Sequence, residues 1–69
     1  SMTTDDRNKS ATALPALLTI EQTAEHLQVS SKTIRRWIDT GDLIAHRLGR
    51  QWRISETDLQ TFIRMGRQG

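Results

Sequence analysis

The sequence predicts a mainly α-helical domain carrying one small β-hairpin. Three observations predict it. Two short segments with apolar residues at helical spacing, Ile20 to Leu27 and Lys32 to Ile38, are separated by only a few residues. A Gly49-Arg50 pair sits between two strand-like runs. A third segment, opening at Ser55, returns to helical spacing.

The first helix starts at Thr19, which has Gln22 three residues on, as a capping box requires. Ile20, Ala24 and Leu27 then recur at i, i+4 and i+7 and form one apolar stripe, with Glu21 and Glu25 off it. Gln28 and Val29 break the pattern. Ser30 or Ser31 caps a second helix whose inward face is Ile34, Trp37 and Ile38, and Gly41 ends it. Leu43 to Leu48 and Gln51 to Ile54 flank the Gly49-Arg50 connection, whose glycine at the first central position suits a type II′ turn. Such a turn pairs Leu48 with Gln51, Arg47 with Trp52 and His46 with Arg53, which puts Ala45, Arg47, Trp52 and Ile54 on one face. Ile44 and Leu48 then fall on the outer face and spoil a clean alternation, so another register stays open. Ser55, with Asp58 three residues later, opens the third helix, which carries Leu59, Phe62 and Ile63 inward. The order of helix, tight turn, helix, hairpin and helix is a winged helix-turn-helix plan. Its expected limits are residues 18–65, preceded by a disordered tail over 1–17 and followed by a frayed end over 66–69. Ser1 ahead of Met2 looks like a residue left by tag cleavage.

Composition narrows the chemistry. Sixty-nine residues suffice for one domain, and the absence of cysteine removes disulfides and thiolate metal sites. No apolar run approaches the roughly 20 residues of a membrane span, so a cytoplasmic protein is expected. His26 and His46 stand alone, without a partner at metal-ligand spacing. No glycine-rich phosphate loop, nucleophile with a base, or carboxylate pair appears, so no catalytic residue, metal or cofactor is expected and the protein is not read as an enzyme. Trp37 and Trp52 are expected in the core, because a domain this small needs large apolar side chains.

The net charge of +2 is mild, but its placement is informative. Lys32, Arg35, Arg36, Arg47, Arg50 and Arg53 fall in one stretch that contains only Asp39 and Asp42 as acids. On the second helix, steps of 100° place Lys32 and Arg36 opposite Ile34, Trp37 and Ile38, with Thr33 and Arg35 flanking. Such a face suits a major groove, where Arg and Lys bond phosphates or guanine edges and Thr bonds either. Ser31 at the helix start completes that candidate surface. On the hairpin, Arg47, Arg50 and Arg53 are the candidate DNA-binding residues of the wing: the Arg47 stem is expected along Trp52, and Arg50 and Arg53 are expected to be free to reach phosphates or a minor groove. Taken alone, either cluster could be an ordinary solvated face or a charged sheet edge guarding against aggregation. Their juxtaposition with a helix-turn-helix favours duplex DNA.

The segments Leu18 to Ile38, Gly41-Asp42-Leu43-Ile44 and Arg47 to Ile54 resemble the excisionase-type winged helix proteins, relatives of the MerR-type DNA-binding domain. The similarity covers about Leu18 to Ile63 and rests on Ala24, Val29, Thr33, Ile34, the Gly49-Arg50 turn and Trp52-Arg53 as a set. It implies a second helix in the major groove and a wing on the adjacent backbone or minor groove, with contacts at Lys32, Thr33, Arg35, Arg36, Arg50 and Arg53. One departure is Gln28, where such motifs often carry glycine to take positive φ.

The resemblance also implies a role. Members of this bare size, without the coiled coil and effector domain of larger MerR-type regulators, act as recombination directionality factors that bend DNA for a tyrosine integrase, or as small transcription regulators. A bacterial or phage origin and work at the nucleoid follow from either. A protein-binding adaptor is the reading from another class, since winged helices can present the same faces to acidic proteins. With no heptad repeat after Ile63, the chain is expected to be a monomer that assembles cooperatively, head to tail, only on DNA. Arg50 of one copy would then meet Glu21 or Glu25 of the next.

Overall fold

A computed structural model describes residues 14–66. Its elements are β1 (Leu17–Leu18), α1 (Ile20–Leu27), α2 (Ser31–Thr40), β2 (His46–Leu48), β3 (Gln51–Ser55) and α3 (Glu56–Met65). The two N-terminal helices pack on each other, and β3 lies at the centre of a three-stranded antiparallel sheet of order β1-β3-β2. This is the architecture expected of a winged helix-turn-helix, with one strand more than the sequence suggested.

Each helix begins where a side chain can satisfy its free amides. Thr19 accepts the Gln22 N–H at 2.9 Å while the Gln22 side chain accepts the Thr19 N–H at 2.9 Å, the reciprocal capping box. Ser30, rather than Ser31, caps α2 and accepts the Thr33 N–H at 3.1 Å. Ser55 caps α3 through the Asp58 N–H at 3.0 Å. The Asp58 carboxylate does not return to the cap; it lies 3.3 Å from His46 Nε2 and ties the hairpin to α3. At the joint between α1 and α2, Gln28 takes the left-handed conformation, φ 58° and ψ 44°. Its side-chain amide donates to the Glu25 carbonyl at 2.8 Å, a local bond that offsets part of the Cβ strain glycine would avoid.

The core is Ile20, Ala24, Ile34, Leu43, Ile54 and Leu59, with Leu27, Trp37, Ile38, Ala45, Trp52 and Phe62 packed around it. Both tryptophans thus serve packing, and Trp37 meets Phe62 with ring centroids 5.0 Å apart. Thr23, three residues after Ile20 and four before Leu27, shares their inward face and is fully buried, with its hydroxyl satisfied by the Thr19 carbonyl at 2.8 Å. The hairpin register is the one the two-residue turn requires: His46 opposite Arg53, Arg47 opposite Trp52, Leu48 opposite Gln51. Gly49 has φ 64°, and Arg50 is not among the described residues with positive φ, which is the type II′ pattern and excludes type I′.

Three expectations need correction. Leu17 belongs to the fold rather than to a tail: β1 pairs Leu17 with Ser55 and Leu18 with Ile54, and the Ala16 carbonyl accepts the Glu56 N–H at 2.9 Å. A two-residue strand shows no alternation, and its pairing is made with a strand far along the chain. Of the rest of the expected tail, Leu14 and Pro15 lie in no helix or strand, and residues 1–13, like the last three residues of the expected frayed end, lie outside the described residues. The first hairpin strand is shorter than Leu43 to Leu48; Leu43 is instead a core residue, 1% exposed. Ile63 faces outward, 55% exposed, because the inward stripe of α3 is centred between Leu59 and Phe62 and Ile63 lies about 70° round from it.

Candidate nucleic-acid interface

The surface of α2 is built outward from Ile34, which has no exposure and anchors the helix in the core. Lys32 and Arg36, one turn apart on the opposite side, are exposed and make no hydrogen bond or ion pair among the described residues. Asp39 is exposed on the same side. Thr33 is half-buried: its backbone N–H and its hydroxyl both meet Ser30 Oγ, at 3.1 and 3.0 Å, so it fixes the helix start as well as standing beside the basic face. Ser31, the first helical residue, is also half-buried.

Arg35 stands apart from this pair. It lies on the flank of α2 that faces α1, and its Nη2 is 3.6 Å from Glu21 Oε2. The sequence placed Glu21 off the apolar stripe and outside the basic stretch, and gave it no part in the DNA-contacting surface. Only the packing of α1 on α2 brings it to Arg35, so no spacing along the chain could have found it.

The wing supplies three guanidinium groups in different states. Arg50 is exposed at the tip of the turn and has no partner among the described residues. Arg47 lies over Trp52, with its Cζ 5.2 Å from the ring centroid, as expected for a stem covering an aromatic face. Arg53 is not free: it is half-buried, its Nη1 donates to the Trp52 carbonyl at 2.8 Å and its Nη2 donates to Gln51 Oε1. Arg35, Arg50 and Arg53 line one cleft between the start of α1, α2 and the wing, and Glu21 is the one carboxylate among its lining residues. Lys32 and Arg36 stand outside this cleft on the open face of α2. The arrangement offers a convex helix face with two free cations, and beside it a basic groove of the kind that follows a phosphate backbone.

Nothing in the described residues suggests a second chemistry. No group of three or more His, Asp or Glu side chains converges to hold a metal ion among them, and no helix is long and apolar enough to cross a membrane.

Comparison with known proteins gives the same assignment. A family model described as a helix-turn-helix domain matches residues 17–67, beginning at the first residue of β1. The chain is also 42% identical over 52 residues to the excisionase of Mycobacterium phage D29, an alignment covering 74% of this chain and 93% of that protein. The chain belongs to the excisionase-type helix-turn-helix family.

Proposed function

We propose that this protein binds duplex DNA as an excisionase-type recombination directionality factor, laying α2 in the major groove and the wing along the adjacent backbone, and bending the DNA for an integrase. The observation that carries this reading is the free, exposed pair Lys32 and Arg36 on the face of α2 opposite Ile34, with Arg50 projecting from the wing beside it. Both cations are unpaired within the described residues, so neither must give up a protein partner to meet a base edge or phosphate. The role is one of binding and shaping, with no catalytic step.

A single module of this kind buries only about 600 to 1,000 Å² on DNA and reads few bases, so several copies acting together are needed for discrimination. Monomers bind tandem sites head to tail, with the wing of one near α1 of the next. Arg50 there meets the Glu25 carboxylate of its neighbour, since Glu21 is already engaged with Arg35. A curved row of copies offsets a bending cost on the order of a few kcal/mol. The test compares duplexes carrying one site and two tandem sites from an attachment region, by gel shift across a salt series and by bend-sensitive mobility. The expected result is steep salt dependence, cooperative filling of tandem sites and an increase in bend with the second copy. A footprint confined to a promoter, with no bend, would favour the transcription regulator. A tight dimer in the absence of DNA would exclude the head-to-tail assembly.

A further inference from the structure

The geometry points to Glu21 as a positioning residue that determines specificity: it holds Arg35 at the mouth of the cleft between helix and wing and cancels the charge of Arg35 toward DNA that does not fit. This inference rests on the DNA-binding reading above. Three facts carry it. Glu21 is the one carboxylate in a cleft lined by Arg35, Arg50 and Arg53, so it sits where a phosphate backbone would otherwise meet only positive charge. It pairs with Arg35 through a single contact, Nη2 to Oε2 at 3.6 Å, which leaves Nη1 and Nε of that guanidinium for DNA. Its neighbour cations are constrained differently: Arg53 is tied to its own strand, whereas Arg50 is free at the tip.

The physical consequence follows from charge and geometry. On random DNA a paired Arg35 is nearly neutral as seen by the phosphates, so it releases few counterions and adds little to sequence-independent binding. In a matching site the same ion pair biases the Arg35 side chain toward the cleft without fixing its orientation, so that its remaining donors engage at a somewhat smaller loss of side-chain freedom. Glu21 thereby weakens binding to the wrong sequence while supporting the right one. Both side chains are largely solvent-exposed, 58% for Arg35 and 70% for Glu21, so the pair has the modest strength of a surface ion pair. An effect of about 3- to 5-fold in the ratio of site to random affinity is the scale expected.

The test is a double-mutant cycle on the intact chain, using Glu21→Gln, Arg35→Ala and the double variant, each titrated against a cognate duplex and a random duplex over a range of salt. Circular dichroism melts check that every variant is folded, which the exposed positions favour. Glu21→Gln is expected to raise affinity for random DNA several-fold, to steepen its salt slope by about 0.9, and to leave cognate affinity unchanged or lower. In the Arg35→Ala background the same substitution is expected to strengthen binding to both duplexes alike, because a carboxylate is still removed beside Arg50 and Arg53, and to leave the site-to-random ratio unchanged, because there is no guanidinium left to release. An equal change in the site-to-random ratio in both backgrounds, or none in either, would overturn the positioning role. Failure of the DNA-binding reading itself looks different: the unaltered protein would then show no salt-dependent binding to any duplex.

Discussion

Replacing Gln28 isolates the energetics of the joint that sets α2 against α1. The residue is held at φ 58° and ψ 44°, where an L side chain carries a cost of about 1–2 kcal/mol from its Cβ. Glycine escapes that cost but gains chain freedom in the unfolded state worth about 0.4–1 kcal/mol, so the Gln28→Gly variant should exceed the Gln28→Ala variant by about 1 kcal/mol. Gln28 itself recovers part of the difference through the 2.8 Å bond from its side-chain amide to the Glu25 carbonyl, about 0.5 kcal/mol for an exposed bond. The expected stability order is therefore Gln28→Gly, then the unaltered protein, then Gln28→Ala. In a domain of this size 1 kcal/mol moves the melting temperature by about 4–8 °C, so the span between the two variants is measurable by circular dichroism melts under one buffer. DNA affinity should stay constant across the series, since Gln28 lies away from the exposed face of α2. An alanine variant as stable as the glycine variant would refute the left-handed joint and the angle between the helices that depends on it.

Other substitutions separate recognition from support. Arg36→Ala should remove roughly 1 to 3 kcal/mol of discrimination for the cognate site, whereas Lys32→Ala should weaken all sequences evenly and lower the salt slope by about 1; competition titrations against random DNA tell the two apart. Gly49→Val places a β-branched residue where φ is 64°, and should move the amide shifts of Gln51 to Ile54 while those of α1 and α2 stay in place. Ile34→Ala opens a cavity at a site with no exposure and should cost about 2–5 kcal/mol, a large part of the stability of so small a domain, seen as a broadened or absent melt.

Much of this fold was legible because its determinants are local. Thr19 with Gln22 and Gly49 in a two-residue turn each act within a few positions and sit in the structure as the sequence implied, and the cap of α2 falls on Ser30, one of the two serines that the sequence left open. The stripe of Ile20 and Ala24 and the face of Ile34 were likewise readable from helical spacing. What escaped depends on residues distant in the chain. Leu17 becomes a strand only by pairing with Ser55, and Leu43 becomes core only because the loop after α2 turns inward. Arg53 looked free because nothing in a linear reading shows that it folds back onto the Trp52 carbonyl and the Gln51 side chain. The Glu21–Arg35 pair escaped for the same reason, since each residue reads as an ordinary helix-surface charge until α1 and α2 are packed together.

The most direct test of the central claim, that α2 enters the major groove with the wing beside it, is an amide-shift titration of the labelled protein with a cognate duplex at physiological salt. The largest changes should fall on Lys32, Thr33, Arg35 and Arg36 of α2 and on Gly49 and Arg50 at the wing tip, while Thr61, Arg64 and Met65 on α3 stay close to their free positions. Changes concentrated on α3 or on the outer sheet face around Leu17 and Leu48, with α2 unmoved, would contradict it.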